Sequence, residues 1–155
     1  NIKVQIANDN SEGQIVLSGK TEDLNKLIII LKKNVIKNIK LPVSAPFHCS
    51  LMSKATNIMN EELKKLNFLK GENKLISNVT AKEILNKDQL KDLLVKQIES
   101  RVRWRESVIH MINNDVNHFI EIGPSKVLSG LVKRINKEMK IDTINNQGDI
   151  ESLKI

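Results

Sequence analysis

Apolar and polar residues alternate at the start of the chain, where Ile2, Val4 and Ile6 share one face, and a second alternating run follows at residues 14–18. The residues between the two runs, NDNSEG, favour turns, so the pattern predicts a β-hairpin over residues 2–7 and 14–18. Apolar residues then recur at helical spacing from Thr21, the predicted N-cap, to about residue 35.

Further along, helical and extended patterns alternate. Helices are predicted over residues 50–66, 87–100, 104–113 and 125–138, and strands over 38–43 (NIKLPV), 74–79 (KLISNV) and 117–123 (NHFIEIG), the last of the buried type. Pro42 and Pro46 cannot donate ladder hydrogen bonds, so the first of these strands must lie at a sheet edge or end there. From about residue 68 the order of strand, helix, helix, strand and helix is typical of an α/β fold with a parallel sheet. Residues 141–155 are predicted to form a weakly ordered tail.

Composition and charge limit the classes of partner and the surroundings that suit the chain. A chain of 155 residues suits one domain or part of a larger one, and a formal charge of +7 favours a polyanionic partner such as nucleic acid, coenzyme phosphates or an acidic protein. Aromatic residues make up only 3% of the chain, which argues against stacking on RNA bases. The single cysteine excludes an intramolecular disulfide, and the longest apolar run, residues 27–31, is too short to span a membrane.

The segment LPVSAPFHCSLM places His48 beside Cys49 where a strand is predicted to give way to a helix. Adjacent residues of an extended backbone point to opposite faces, so a Cys–His dyad is disfavoured and Cys49 is expected to be a small buried residue. His48 lies where α/β folds place ligands, although a histidine that is simply hydrogen-bonded in a core or on a surface is the alternative. His110 and His118 have only that second interpretation.

Other chemistry is weakly indicated. No histidine pair has a metal-ligand spacing and no carboxylate cluster accompanies them, so we expect no metal. The GPSK turn at residues 123–126 precedes a helix but lacks the P-loop pattern, which leaves a ligand at that helix start open.

Five segments together resemble a known family. In order they are ANDNSEGQIVLSG, LPVSAPFHCSLM, LISNVTA, LLVKQIESRVRWRESVIHMI and FIEIGPSKVLSGLVKRI. They resemble the carboxyl-terminal half of malonyl-CoA:acyl carrier protein transacylases, which are similar to the acyltransferase domains of fatty acid and polyketide synthases. The resemblance implies that residues 1–42 form part of a ferredoxin-like subdomain. Residues 43–140 would then be the C-terminal part of an α/β-hydrolase-like parallel-sheet domain.

In that family a serine in a G-H-S-x-G motif attacks the thioester of malonyl-CoA. The acyl group then passes to the phosphopantetheine thiol of acyl carrier protein. This ping-pong transfer is a step of fatty acid synthesis. The resemblance implies that His48 is the general base, and that the main-chain carbonyl of Gln97 orients its ring. No resident cofactor is implied, because coenzyme A belongs to the substrate and phosphopantetheine to the partner.

Less specific positions follow from the same resemblance. Phe47, immediately before the histidine, favours malonyl over methylmalonyl, and Asn10 and Asn78 are the other substrate-binding candidates. Acyl carrier proteins are acidic, so Lys126, Lys133 and Arg134 become candidates for carrier docking; a solvated charged face is the alternative interpretation.

The chain also departs from the family. It contains no G-H-S-x-G motif, no G-Q-G segment, and lacks the upstream arginine that binds the malonyl carboxylate. We therefore expect a fragment that is inactive alone and whose partners are malonyl-CoA, acyl carrier protein and the amino-terminal half of the same protein, without nucleic acid or membrane. The expected location is a bacterial cytoplasm or a plastid-like or mitochondrial organelle. A non-catalytic module that binds acyl carrier protein or RNA remains the alternative.

Overall fold

The computed structural model describes residues 1–69 and 71–153 and shows a mixed α/β arrangement with small sheets. The hairpin strands β1 and β2 are antiparallel, β3 and β4 are parallel, and no further strand joins either pair within the described residues. In chain order the elements are β1 (Val4–Ser11), β2 (Gln14–Gly19), α1 (Thr21–Lys33), a short 3₁₀ turn (Ser50–Met52), α2 (Ser53–Lys64), α3 (Lys87–Lys96), α4 (Trp104–Ile112), β3 (His118–Ile122), α5 (Val127–Ile135), β4 (Lys140–Ile144) and α6 (Gln147–Ser152).

The predicted hairpin and the five predicted helices are present, although most of the helices are shorter than their apolar patterns suggested. Thr21 is the first helical residue of α1 and not its N-cap; Lys20 takes that position with an extended backbone and no side-chain hydrogen bond. Helices α4 and α5 pack against β1. The core between these elements contains buried Ala7, Val108, Leu131 and Val132.

The segment that precedes α4 is attached to β1. Val102 donates its N–H to Ala7 O at 2.7 Å and accepts from Asp9 N at 2.9 Å, which forms a parallel bridge at Asn8. The carboxylate of Asp9 accepts a hydrogen bond from Arg105 of α4 at 3.1 Å. Since Asp9 is only 7% exposed, this ion pair fixes the hairpin to the helical part of the molecule.

The strand predicted at residues 38–43 is wrong. No partner strand lies beside it in the part of the chain that the structure describes, and Val43 N donates to Leu41 O at 2.9 Å, the bond of a γ-turn. Its apolar side chains face solvent, with Ile39 77% exposed and Val43 60% exposed. Alternation alone could not produce a strand here, because a ladder needs a second strand to accept and donate its hydrogen bonds.

The strand predicted at residues 74–79 is also wrong. This segment folds back on itself, with Ser77 N bonded to Lys82 O at 2.9 Å and Ala81 N to Ser77 O at 2.8 Å. Only one isolated bridge, between Ile76 and Glu83, remains of the expected pairing. The tight turn, with Ala81 in the left-handed region at φ 56°, ends the ladder after that single bridge.

The chain from residue 118 onward forms a parallel β3–α5–β4 unit, as expected of an α/β fold, but β3 is not a buried strand: Ile122 is 78% exposed. The predicted weakly ordered tail at residues 141–155 is wrong over its described part, residues 141–153. β4 pairs with β3 in register, and Asn146 and Asp149 form a capping box at the start of α6. Residues 154 and 155 lie outside the described part.

Candidate active site

His48 lies in the connection before the 3₁₀ turn, with its backbone in the left-handed region at φ 58°. Few residues other than glycine adopt this conformation without support from their surroundings. Its backbone N–H donates to the carbonyl of Ile98 at 3.2 Å, just beyond the end of α3. The histidine is half-buried, so part of its surface remains accessible to solvent.

The ring of His48 is oriented by the same helix end. Nδ1 lies 2.9 Å from the main-chain oxygen of Gln97, the C-cap residue of α3. A carbonyl oxygen only accepts, so Nδ1 of a neutral ring must carry the proton and Nε2 must present its lone pair. Within residues 1–69 and 71–153 no hydrogen bond to Nε2 is found. The imidazole is therefore held in the tautomer that a general base requires.

The end of α3 explains why this carbonyl is available. The last carbonyls of a helix have no intrahelical partner and carry the negative end of the helix dipole. Gln97 therefore offers an acceptor where no carboxylate is present, and the dipole stabilises positive charge on an imidazole that has taken up a proton.

Cys49 is completely buried, and its thiol donates to the main-chain oxygen of Pro46 at 3.1 Å. It forms no dyad with His48, as expected, but the reason differs from the alternation argument. His48 is not extended, and its ring turns toward Gln97.

A contact that the sequence pattern did not indicate lies on the other side of the His48 segment. The side-chain oxygen of Gln5 accepts from both the backbone N–H and the hydroxyl of Ser50, each at 2.8 Å. The two residues are 45 positions apart, and Gln5 lies outside the five segments that carry the family resemblance. Only the folded chain brings them together.

The three substrate-binding candidates occupy different positions. Phe47 is 49% exposed next to His48. Asn78 donates weakly to the side-chain oxygen of Gln97 at 3.4 Å and lines a cavity of about 130 Å³ with it. Asn10 lies half-buried on β1, and the described residues provide no hydrogen bond from it to His48 or Gln97. The structure thus connects Asn78 to the residue that orients His48 and places Phe47 next to the histidine, and no described hydrogen bond joins Asn10 to them.

The basic docking candidates do not form one free surface. Lys133 donates to the main-chain oxygens of Lys137 and Met139 at 3.0 and 2.8 Å. Arg134 donates to the side chain of Gln14 in the hairpin. Lys126 is exposed, and no hydrogen bond or ion pair of its side chain is found in the described part of the chain. Lys126 and Lys133 both border an open cleft of about 500 Å³ between α5 and β4.

The start of α5 already holds an anionic group. The carboxylate of Glu121 accepts from Leu128 N at 3.2 Å, Ser129 N at 2.7 Å and Ser125 Oγ at 3.0 Å. Desolvation raises the pKa of Glu121, but the hydrogen bonds from these residues lower it more, to about 2. The helix start after the GPSK turn is therefore capped from within the chain and is not a vacant phosphate site.

The basic run before α4 is also used internally. Arg101 and Arg103 both contact the carboxylate of Glu106, and the hydrogen bond from Arg103 is the main cause of its lowered pKa. Together with the Arg105–Asp9 pair, these contacts stabilise the start of the helix.

The remaining histidines have structural surroundings. His118 Nε2 lies 2.7 Å from the Asp142 carboxylate across the β3–β4 pair, and His110 lies half-buried on α4. No group of three His, Cys, Asp or Glu side chains that could hold a metal ion occurs among the described residues; the absence of a metal stays a prediction. None of the helices described here is both long and apolar enough to cross a membrane.

Comparison with known proteins adds to this geometry. No family model matches the chain. The malonyl CoA-acyl carrier protein transacylase of Bacillus subtilis (strain 168) is 40% identical over 149 residues, which cover 96% of this chain and 47% of that protein. The enzyme of the same name from Escherichia coli (strain K12) is 37% identical over 143 residues, covering 92% and 46%.

The solved structures that are similar to this chain are enzymes of the same kind. The acyl-carrier-protein-S-malonyltransferase of Bartonella henselae superposes with a TM-score of 0.91 at 41% identity, over 96% of this chain and 48% of that one. A malonyl-transacylase solved in complex with a type II PKS acyl-carrier protein gives a TM-score of 0.91 at 30% identity, over 97% and 49%. The chain spans about half the length of the proteins it matches. It belongs to the malonyl-CoA:acyl carrier protein transacylase family, and corresponds to the carboxyl-terminal half of its members.

Proposed function

We propose that the whole protein transfers the malonyl group from malonyl-CoA to the phosphopantetheine thiol of an acyl carrier protein in fatty acid synthesis, and that this chain supplies the general base, His48. The observation that carries the proposal is the 2.9 Å contact between His48 Nδ1 and Gln97 O, because it leaves Nε2 as the proton acceptor. The nucleophilic serine would belong to the amino-terminal half of the protein.

In the first half-reaction Nε2 of His48 takes the proton of the serine hydroxyl as the serine oxygen attacks the thioester carbon. The carbon–sulfur bond then breaks, and the imidazolium returns its proton to the departing coenzyme A thiolate. In the second half-reaction Nε2 takes the proton of the carrier thiol, whose sulfur attacks the malonyl-serine ester. The serine oxygen leaves with that proton. Each cycle therefore restores the neutral imidazole.

A main-chain carbonyl suits this shuttle. It fixes the ring and the tautomer, as the carboxylate of a serine-protease triad does, but it carries no full charge. The C-terminal end of α3 supplies part of the missing negative potential, because Gln97 is its C-cap residue. The transient imidazolium is thus stabilised by a helix end.

The amino-terminal half would also cover apolar surface. The connection after α1 exposes Val35, Ile39 and Val43 at 93%, 77% and 60%, an unusual density of solvent-exposed aliphatic side chains. In this proposal the other half completes a ferredoxin-like subdomain with residues 1–42 and an α/β-hydrolase-like sheet with residues 43–140. The small sheets of the chain would become parts of larger ones.

Substrate selection rests on fewer contacts. Phe47 would border the acyl pocket beside His48, and Asn78 would act near it, while no side-chain hydrogen bond of Asn10 among the described residues supports a substrate role. Lys126 is the best placed of the three basic candidates to meet an acidic carrier protein, because the side chains of Lys133 and Arg134 already have partners within the chain. The location in a cytoplasm or an organelle stays a prediction.

The test is replacement of His48 by Ala in a full-length transacylase that contains this sequence. We expect malonyl transfer to holo carrier protein to fall by about a thousandfold, the scale of lost general-base catalysis. His110→Ala is the matched control, since His110 lies on α4 outside the site, and it should keep the parent rate. Transfer at the parent rate in the His48→Ala protein would refute the assignment. Carrier or RNA binding without any transfer in the parent protein would favour a binding module.

A further inference from the structure

We propose that Gln5 is a positioning residue for His48, which acts through Ser50. This inference deepens the proposed function, on which its catalytic consequence rests. Gln5 lies on β1, an element separate from the helix end that holds the imidazole, and it contacts the His48 segment at Ser50.

The orientation of the Gln5 amide follows from its partners. Its side chain meets the backbone N–H of Ser50 and the hydroxyl of the same residue, both at 2.8 Å. A backbone N–H can only donate, so the atom of Gln5 that faces it must be the oxygen. Ser50 begins the 3₁₀ turn, where backbone N–H groups lack partners within the turn. Gln5 therefore caps this turn from a different element.

The His48 segment needs such support because of its backbone. A histidine at φ 58° occupies a sparsely populated region that persists only when neighbouring contacts impose it. On one side, Ile98 O holds the backbone and Gln97 O holds the ring. On the other side, the bonds from Ser50 to Gln5 are the described hydrogen bonds that join residues 48–50 to β1.

These two attachments are connected to each other by a series of contacts that runs from Gln97 through β1 and back to the His48 segment. The chain that leaves Gln97 reaches Val102, which exchanges hydrogen bonds with Ala7 and Asp9 of β1. β1 then returns to the His48 segment through Gln5. Because the Asp9–Arg105 pair fixes the same strand to α4, Gln5 is anchored on a supported element and can resist movement of Ser50.

Loss of the Gln5 oxygen would break this series of contacts at Ser50, close to the histidine. The backbone of residues 48–50 could then relax from the left-handed conformation, and Nδ1 would move relative to Gln97 O. Neutral imidazoles would no longer be restricted to the tautomer with Nε2 unprotonated. The predicted consequence is a loss of correctly prepared base, without a change in the affinity for malonyl-CoA.

The experiment uses a full-length transacylase that contains this sequence, labelled with ¹⁵N-histidine, with the His48 signal assigned by its absence from the His48→Ala protein. Gln5→Met removes the acceptor at similar length, Gln5→Asn keeps the amide but shortens its reach, and Gln5→Glu restores an accepting oxygen. Gln14→Met makes the same change in the same hairpin, where the glutamine contacts Arg134 and not the His48 segment.

We expect Gln5→Met and Gln5→Asn to give a mixture of His48 tautomers at a pH where the ring is neutral. Their kcat should fall about tenfold with KM for malonyl-CoA unchanged, since misplacement of a reacting group slows the chemical step. Gln5→Glu should restore the single tautomer and most of kcat, and Gln14→Met should match the parent in both measurements.

A parental His48 spectrum and parental kcat in Gln5→Asn would overturn the proposal, and this variant decides the question if Gln5→Met does not fold. An equal loss in Gln14→Met would overturn it as well, because the effect would then be a general weakening of the hairpin. Failure of the proposed function is distinguishable: full transfer by His48→Ala would remove the role of the base, whereas the tautomer signal would still report on Gln5.

Discussion

The imidazole of His48 and the main-chain carbonyl of Gln97 are 49 positions apart in the sequence and 2.9 Å apart in the fold. The partner of the ring is a helix end and not an acidic side chain. The orientation of the imidazole therefore depends on where α3 ends, and we expect the identity of the side chain at its C-cap to be of secondary importance.

Gln97→Ala tests this distinction. The substitution keeps the carbonyl and removes the side chain, whose described hydrogen bond is the weak 3.4 Å contact with Asn78 beside the cavity that both residues line. We expect kcat for malonyl transfer to fall by no more than about threefold, the scale of one weak neutral hydrogen bond. Steady-state kinetics in a full-length transacylase would measure it. A loss as large as that of His48→Ala would show that the side chain, and not the carbonyl, is the essential partner.

Glu121 should contribute a pH-dependent stability. Its folded-state pKa of about 2 lies below the ordinary value of 4.5, so its contribution is fully present above pH 4.5 and is lost as the pH falls toward 2. We expect Glu121→Gln to lower the free energy of unfolding by about 0.5 to 1 kcal/mol near neutral pH, as for a partly exposed helix cap.

Urea unfolding of the parent and variant between pH 7 and pH 2.5 would measure this difference. It should shrink with acidification, because the parent carboxylate is increasingly protonated while the variant does not titrate at this position. A difference that stayed constant over the whole range would contradict the role assigned to the carboxylate.

The Asp9–Arg105 pair should respond asymmetrically to mutation. Arg105→Met leaves the buried Asp9 carboxylate without its partner, whereas Asp9→Asn leaves an arginine side chain that is 40% exposed and can reach water. We expect a loss of about 2 kcal/mol for the first and about 1 kcal/mol for the second. Equal losses in thermal or urea unfolding would mean that burial of Asp9 does not govern the energetics.

Substitution of Lys126 should change the transfer of malonyl to the carrier protein more than the hydrolysis of malonyl-CoA. Lys126→Glu reverses an exposed charge that has no described partner, and we expect about a tenfold lower kcat/KM for the acidic carrier with little change in malonyl-CoA hydrolysis. Arg134→Glu is the comparison variant. It makes the same charge reversal at a residue whose side chain already has a partner, Gln14 in the hairpin. Equal effects of Lys126→Glu on both reactions would count against a docking role, as would an absence of salt dependence.

Local pattern was sufficient for the hairpin and the helices, because turn residues and helical apolar spacing act within a few residues. It failed where a partner decides the outcome. Residues 38–43 alternate like a strand but have no neighbouring strand in the described part of the chain, and residues 74–79 form one isolated bridge there, between Ile76 and Glu83. The capping box of α6, Asn146 and Asp149, was present in the sequence and contradicted the weakly ordered tail.

The site was predicted unevenly for a similar reason. His48 and Gln97 could be named because a family pattern relates two distant segments, and the structure places their atoms in contact. Ser50 belongs to the same segment as His48, but Gln5 lies outside every segment of the family pattern, so their contact could not be inferred from composition or spacing. Nor could charge alone reveal that Lys133 and Arg134 have partners within the chain.

The role of His48 as general base is tested most directly by measuring the formation of the malonyl-serine ester in a single turnover. A full-length transacylase that contains this sequence, and its His48→Ala variant, would be mixed with malonyl-CoA and quenched at increasing times, and the malonyl-serine ester would be quantified by mass spectrometry. We expect the variant to form the ester about a thousandfold more slowly, because no base takes the serine proton. Ester formation at the parent rate would contradict it.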